Sequence, residues 1–161
     1  MGSLELWYAA GFRRFMADVS IAIAASPVSG GTSFGNAVPA SLVVDSGSNV
    51  TVLSEELAWR LGVEIDELET RELGGVTGVA RRPFVRNVEV FLGPADDGAV
   101  HLPGVAIARA DARGPGGRHD PAPWSGSLMG SGLSILGTDV ARALGARLML
   151  DFARLKGTLE W

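Results

Sequence analysis

Leu42-Val43-Val44-Asp45-Ser46-Gly47-Ser48 is the stretch that decides the fold of this chain. Three consecutive aliphatic residues read as the end of a buried strand. Ser-Gly is turn chemistry, and beyond it Val50-Thr51-Val52-Leu53 resumes an alternating pattern. An aspartate on such a turn is held rigidly at a strand end, with its head facing a cavity. That placement suits a carboxylate used for chemistry and suits a surface loop poorly. Asp-Ser-Gly alone is what any tight turn prefers, so the rest of the chain carries the reading.

Ser54 has the chemistry of a helix N-cap, Glu55 and Glu56 put negative charge in the first turn, and Leu57, Ala58 and Leu61 form an apolar stripe. Gly62 terminates that helix at C′. A polar-apolar stretch then ends at Leu73 and gives way to Gly74-Gly75-Val76-Thr77-Gly78, followed by a strand-like run from Phe84 to Leu92. Much later, Ser134-Ile135-Leu136-Gly137-Thr138-Asp139 leads into a short helix, Val140 to Leu144, closed by Gly145. The order is apolar strand, Asp-Ser-Gly-Ser, Gly-rich hairpin, then apolar-apolar-Gly and helix.

In these motifs the chain resembles the retropepsin-like aspartic proteases, the single-lobed relatives of pepsin, over roughly residues 17–161. In that family an apolar-apolar-Asp-[Thr/Ser]-Gly-[Ala/Ser] motif carries the catalytic aspartate, a Gly-rich hairpin forms a flap, and a Leu-Gly-x-[Asp/Asn] segment precedes a helix. Val43 to Ser48, Gly74 to Gly78 and Ile135 to Asp139 match them in that order. The resemblance implies a mainly-β fold, a closed β-barrel lobe with a Gly-rich flap hairpin and one or two short helices. It implies Asp45 as the catalytic residue, and Ser46 as the residue that bonds across a dimer axis to hold two such loops in register. Gly47 lets backbone approach the water site, and Gly137 allows close packing beneath the Asp45 loop. Ser48 either orients the carboxylate or is a solvated turn serine. Gly74, Gly75, Val76, Thr77 and Gly78 become a flap closing over an extended polypeptide substrate.

The chain departs from the retroviral pattern in one respect. Retroviral members pair an acidic residue just after the catalytic motif with an arginine in the late Gly motif. Asn49 and Thr138 stand at those places, so that ion pair is missing, and subunits are left to associate through the termini or an insertion.

Composition narrows the classes further. A chain of 161 residues with 47% hydrophobic content can bury its own core as one domain and is not disordered. A net charge of −4 gives no reason to expect nucleic acid. Zero cysteines exclude disulfides, zinc-thiolate sites and a thiol nucleophile. No cofactor and no metal are expected. No apolar run approaches the roughly 18 residues of a membrane span. Residues 13–25 imitate a signal peptide, but Asp18 interrupts the patch and Val19, Ile21 and Ile23 alternate with polar or small residues, so a half-buried strand is the better reading. A cytoplasmic location is favoured. Thirteen arginines against the single Lys156 point to a GC-rich bacterial genome.

Residues 1–16 read as an apolar N-terminal extension, carrying Leu4, Leu6, Trp7, Tyr8, Phe12, Phe15 and Met16. It docks on a partner or membrane surface or, as we favour, packs on the core of the same domain. The domain proper spans 17–161. It holds a strand near 18–25, a Ser/Gly/Asn-rich hairpin at 29–36, a strand from Val38 into Asp45, and further strands at 68–73, 82–92 and 99–109. Asp96-Asp97-Gly98 is a hairpin turn. Residues 111–131, rich in Gly, Pro and Ser, form an irregular insertion. Strands Arg147 to Phe152 and Gly157 to Trp161 close the chain around a turn at Ala153 to Lys156.

Nowhere does a second Asp-[Ser/Thr]-Gly occur. Hydrolysis by an aspartate pair needs two carboxylates sharing one proton, so the partner of Asp45 must be Asp45 of a second copy in a homodimer. A rival reading keeps the fold without the activity, as a peptide-binding or dimerisation module, although such a module has no need of the carboxylate. A serine hydrolase based on Gly126-Ser127 or Gly130-Ser131-Gly132 lacks the strand-to-helix Gly-x-Ser-x-Gly elbow. His101 and His119 are isolated surface residues, and Asp139 is expected to cap its helix.

Overall fold

The computed structural model describes residues 2–23, 37–75, 78–93, 98–108 and 133–161. The hairpin expected at 29–36, flap residues Val76 and Thr77, Asp96 and Asp97, His119 and the 111–131 insertion lie outside the described residues, as do the Ser-Gly pairs at 126–132.

The described residues form ten strands and two α-helices, in chain order β1 (Ser3–Ala9), β2 (Arg14–Ile23), β3 (Val38–Val44), β4 (Val52–Ser54), α1 (Glu55–Arg60), β5 (Thr70–Gly75), β6 (Gly78–Phe91), β7 (Ala99–Ala108), β8 (Ser134–Leu136), α2 (Thr138–Leu144), β9 (Arg147–Asp151) and β10 (Lys156–Glu160). Their order in the sheet is β5-β6-β7-β4-β8-β3-β2-β1-β10-β9, and a further β6–β2 pairing closes the six strands from β6 to β2 into a barrel. This is the mainly-β, closed-barrel architecture expected from the sequence.

Barrel closure follows from the apolar positions. Val19 and Ile21 on β2, Leu42 on β3, Val88 and Val90 on β6, and Leu102 and Ile107 on β7 meet in one buried cluster. Leu42, Ile21 and Ile107 have no solvent exposure at all. Burying an aliphatic side chain of that size contributes about 1.5–3 kcal/mol, so this shared interior holds the strands in register.

Residues 1–16 supply β1 and the first turns of sequence in β2. Trp7, Tyr8 and Ala9 pair with Met16, Phe15 and Arg14, which starts β2 four residues before the expected position. Leu6, Phe15 and Met16 are buried. The other half of β1 pairs with β10, Ser3 opposite Glu160 through Leu6 opposite Gly157, so both ends of the chain lie in one sheet.

The helices end where local chemistry ends them. The Ser54 hydroxyl accepts from the Leu57 N–H at 3.2 Å, and Gly62 (φ 74°) and Gly145 (φ 64°) take the left-handed conformation that closes α1 and α2. One expectation needs correcting. α2 begins at Thr138, with Gly137 in the cap position, and Asp139 sits inside the first turn. The reason is tertiary: Ser48 O accepts from the Thr138 N–H at 2.8 Å, and the Asp139 carboxylate is turned to Thr51, just before β4. Among the described residues no helix is long and apolar enough to cross a membrane.

Candidate active site

β3 delivers Asp45. It runs parallel to β8, Val43 opposite Ile135 and Val44 opposite Leu136, and the pairing extends one step as the Asp45 N–H donates to Leu136 O at 3.2 Å. The turn then closes on itself. The Ser48 N–H donates to Asp45 O at 3.1 Å, and the Gly47 N–H donates to Asp45 Oδ1 at 2.9 Å. That second bond fixes the carboxylate from the backbone, and its other oxygen is left for outside groups. Asp45 is half-buried, while Ser46 and Gly47 are exposed.

Ser48 lies differently from either expectation. It is 1% exposed, and its hydroxyl donates to Val50 O at 2.7 Å. It therefore shapes the bend leading out of the turn. Orientation of the carboxylate comes from the Gly47 amide.

Beneath the turn, Gly137 makes the closest approach in this part of the fold. A Cβ there would stand 2.5 Å from Val50 C, 2.6 Å from Val50 O and 2.8 Å from Thr51 N, all of them backbone atoms. Only a residue without a side chain fits. The Gly137 N–H also donates to Thr51 Oγ1 at 3.1 Å.

Sequence reasoning missed the brace that this contact belongs to. Thr51, wholly buried, donates from Oγ1 to Asp139 Oδ1 at 2.7 Å and from its N–H to Asp139 Oδ2 at 2.8 Å. Both oxygens of Asp139 thus accept from Thr51, the residue just before β4, and Oδ1 also accepts from the Val140 N–H at 2.9 Å. A hydroxyl in the apolar run Val50-Thr51-Val52-Leu53 was the available signal. A second strut lies nearby, as the Ser54 N–H donates to Ser134 Oγ at 2.8 Å. Asn49 and Thr138, standing where an ion pair was expected to be missing, do meet, with Thr138 Oγ1 3.5 Å from Asn49 Oδ1. The contact is uncharged.

Of the Gly-rich segment, Gly74 and Gly75 end β5 and Gly78 begins β6. Thr70 pairs with Pro83 and the ladder runs to Gly75 opposite Gly78. At the hairpin base, Glu69 accepts from Arg86 Nε (3.1 Å) and Nη2 (2.8 Å) and from Arg71 Nε (2.9 Å), and the Arg71 guanidinium covers the Phe84 ring at 4.3 Å. The hydrogen bond from Arg86, aided by the charges of Arg71 and Arg86, holds the Glu69 carboxyl below its ordinary value.

A small pocket of about 80 Å³ adjoins the turn, lined by Asp45 and Ser46 together with Leu6, Leu148 and Leu159. Among the described residues no three His, Cys, Asp or Glu side chains cluster in a way that would hold a metal.

Comparison with known proteins agrees with this geometry. The family model described as aspartyl protease matches residues 30–140, a span containing the Asp45 turn, the hairpin and the Gly137 segment. The fold is similar to the crystal structure of a retropepsin-like aspartic protease from Rickettsia conorii, with TM-score 0.58 and 14% identity over 99% of this chain and 90% of the other. The EIAV protease complexed with the inhibitor HBY-793 is similar at TM-score 0.48 and 20% identity, over 88% of this chain and 98% of that one. No curated protein matches the sequence. With the family model spanning most of its length and the barrel, turn and hairpin in the expected order, the chain belongs to the aspartyl protease family and has a retropepsin-like fold.

Proposed function

We propose that the protein is an aspartic endopeptidase whose active unit is a homodimer, with Asp45 of each chain supplying one half of a carboxylate pair. The observation that carries this reading is the state of the two nearby acids. Asp45 has one oxygen fixed by the Gly47 amide and the other uncommitted, whereas both oxygens of Asp139 are bound to Thr51. Of these two acids, Asp45 alone keeps a carboxylate oxygen free for a partner carboxylate.

Two carboxylates a few ångströms apart cannot both ionise readily, so the pair holds a single proton over a range of pH. The ionised member removes a proton from a water molecule as its oxygen attacks the peptide carbonyl carbon. The protonated member donates to the carbonyl oxygen, and a proton is then returned to the leaving amine as the C–N bond breaks. Ser46, exposed at the front of the turn, bonds toward the second copy and keeps the two turns in register. The β5–β6 hairpin closes over the substrate, an extended polypeptide whose backbone pairs with it in strand fashion.

Asp45→Asn tests the reading directly. The amide is nearly isosteric but takes no proton from water, so cleavage of denatured casein should vanish while melting temperature and association stay as in wild type. Wild-type activity should be blocked by a pepstatin-type inhibitor. Cleavage by the Asn variant at the wild-type rate would remove Asp45 from the chemistry.

A further inference from the structure

Two β-turns project from one end of the β10–β1–β2 ladder. Gly157 lies opposite Leu6 and Arg14 opposite Ala9, so the β1–β2 turn (residues 10–13) and the β9–β10 turn (residues 152–155) leave the sheet at the same end. An edge-to-face contact between Phe15 and Phe152, with 5.1 Å between ring centroids, ties one turn to the other. Both turns carry large apolar side chains into solvent. Phe12 and Leu155 are each 49% exposed and Phe152 is 63% exposed. A Cβ added at Gly11 would meet nothing within 4 Å, so the first tip stands clear of the rest of the fold.

The backbone makes leucine a costly choice at the second tip. Leu155 has φ 54° and Arg13 has φ 53°, the left-handed region that glycine and asparagine adopt readily and larger side chains do not. The turn itself is held by the Arg154 N–H donating to Asp151 Oδ1 at 3.0 Å, a geometry that asparagine at 155 would suit better than leucine. Strain of this kind clusters at functional positions, and the strained side chain here points half its surface at water. The charges around the tips are mostly of one sign. Residues 10–14 and 151–156 hold four cations, Arg13, Arg14, Arg154 and Lys156, against the single acid Asp151, a local charge of +3 in a chain of net −4. All four cations are exposed, and Arg14 is held over the first turn by donating from Nη1 to Arg13 O at 3.2 Å. Asp151 is itself partly neutralised by the Arg154 guanidinium at 3.7 Å.

We propose that this pair of turns docks the protein on a membrane surface rich in anionic phospholipid. Phe12, Phe152 and Leu155 enter the boundary between headgroups and acyl chains, and the four cations stay at the level of the phosphates. Apolar side chains alone would hold weakly, and basic residues alone would adsorb without depth; the negative surface potential of such a leaflet acts on the cations while burial acts on the tips. The shape favours lipid over protein. Two separate convex tips require a partner protein to offer a matching groove for each, whereas a fluid bilayer accepts any protruding pair ringed by positive charge.

The test is co-sedimentation of the full chain with vesicles of phosphatidylcholine containing about one-third phosphatidylglycerol, and with vesicles of phosphatidylcholine alone. The readout needs no peptidase activity, so it stands apart from the reading above. Wild type should bind the anionic vesicles, ignore the neutral ones, and be released as salt is raised. Arg13→Gln and Arg154→Gln should each weaken binding about fivefold. Phe12→Ser and Leu155→Asn should each weaken it about tenfold. Because asparagine tolerates the left-handed backbone, Leu155→Asn should keep or raise the melting temperature, so its loss of binding cannot be loss of fold. No binding to anionic vesicles at low salt, equal binding to neutral ones, or wild-type binding by the Phe12→Ser, Leu155→Asn double variant would each overturn the proposal. So would a wild type that ignores vesicles while the double variant turns a dimer into a monomer, which gives the tips to a second copy. Capture by polyglutamate that depends on Phe12 and Leu155, with vesicles ignored, would give them to an acidic protein and overturn it equally.

Discussion

Replacing Gly137 by alanine adds one methyl group where the link between β8 and α2 presses against the Val50–Thr51 backbone just before β4. That methyl would lie 2.5–2.8 Å from three backbone atoms of Val50 and Thr51, well inside the distance at which carbon atoms repel. No flexible side-chain end is available to step aside, so the Val50–Thr51 backbone or the start of α2 must move. Overpacking of this kind costs about 1–3 kcal/mol. Separation also stretches the Gly137 N–H to Thr51 Oγ1 bond, a buried contact whose loss adds about 1 kcal/mol. The sum is about 2–4 kcal/mol, which at about 2–4 °C per kcal/mol for a domain of this size lowers the melting temperature by about 4–16 °C. The displacement should also reach the chemistry, because Thr138 holds Ser48 O and Ser48 closes the Asp45 turn. Turnover of the protein that remains folded should fall on the order of tenfold to a hundredfold. Thermal melts and kinetics at a temperature where the variant is folded measure both effects. A melting temperature within roughly one degree of wild type, with unchanged turnover, would refute the steric argument.

Three other outcomes follow from the site. Gly75→Pro, at the last pair of the hairpin ladder, should raise KM and lower kcat while the melting temperature holds; a large thermal loss with unchanged kinetics would make the hairpin part of the core. Glu69 has a folded pKa below its ordinary 4.5, chiefly through Arg86, so its contribution is fully present above that value and is lost as pH falls through the depressed one. The protection of amides at the base of the β5–β6 hairpin, taken relative to the intrinsic exchange rate at each pH, should therefore fall on acidification through that window in wild type and stay level in Glu69→Gln; identical profiles would refute the clasp. Specific activity should fall on dilution below the dimer dissociation constant, and excess Asp45→Asn chains should poison wild type under conditions of demonstrated subunit exchange. Constant specific activity in a protein that sediments as a monomer contradicts the shared site.

What the sequence revealed was what neighbouring residues decide among themselves. The Asp45 turn, the Ser54 cap and the left-handed Gly62 and Gly145 are each fixed within a few residues, and each was legible. The pattern of β1 was present as well, since Leu4, Leu6 and Tyr8 alternate with Glu5 and Trp7. Its identity as a strand depends on β10, at the far end of the chain, and no local signature announces a partner that distant. The same holds for Thr51 and Asp139, which are 88 residues apart and meet only because β8 lies between β3 and β4. Ser48 shows the limit of turn chemistry: a serine beside an aspartate can face water, the carboxylate or the backbone, and burial beneath α2 selected the backbone.

β8 is three residues long, yet it completes the barrel by entering between β3 and β4. During synthesis both of those strands precede it by a wide margin, so the ribosome releases β2 through β7 as a sheet with a slot in the middle. Until Ser134–Leu136 emerges, the edges of β3 and β4 stay unpaired and their aliphatic residues lack a neighbour. The nascent chain therefore passes through a long interval in which these two edges face the medium, and a chaperone that shields them would matter before Ser134–Leu136 arrives rather than after.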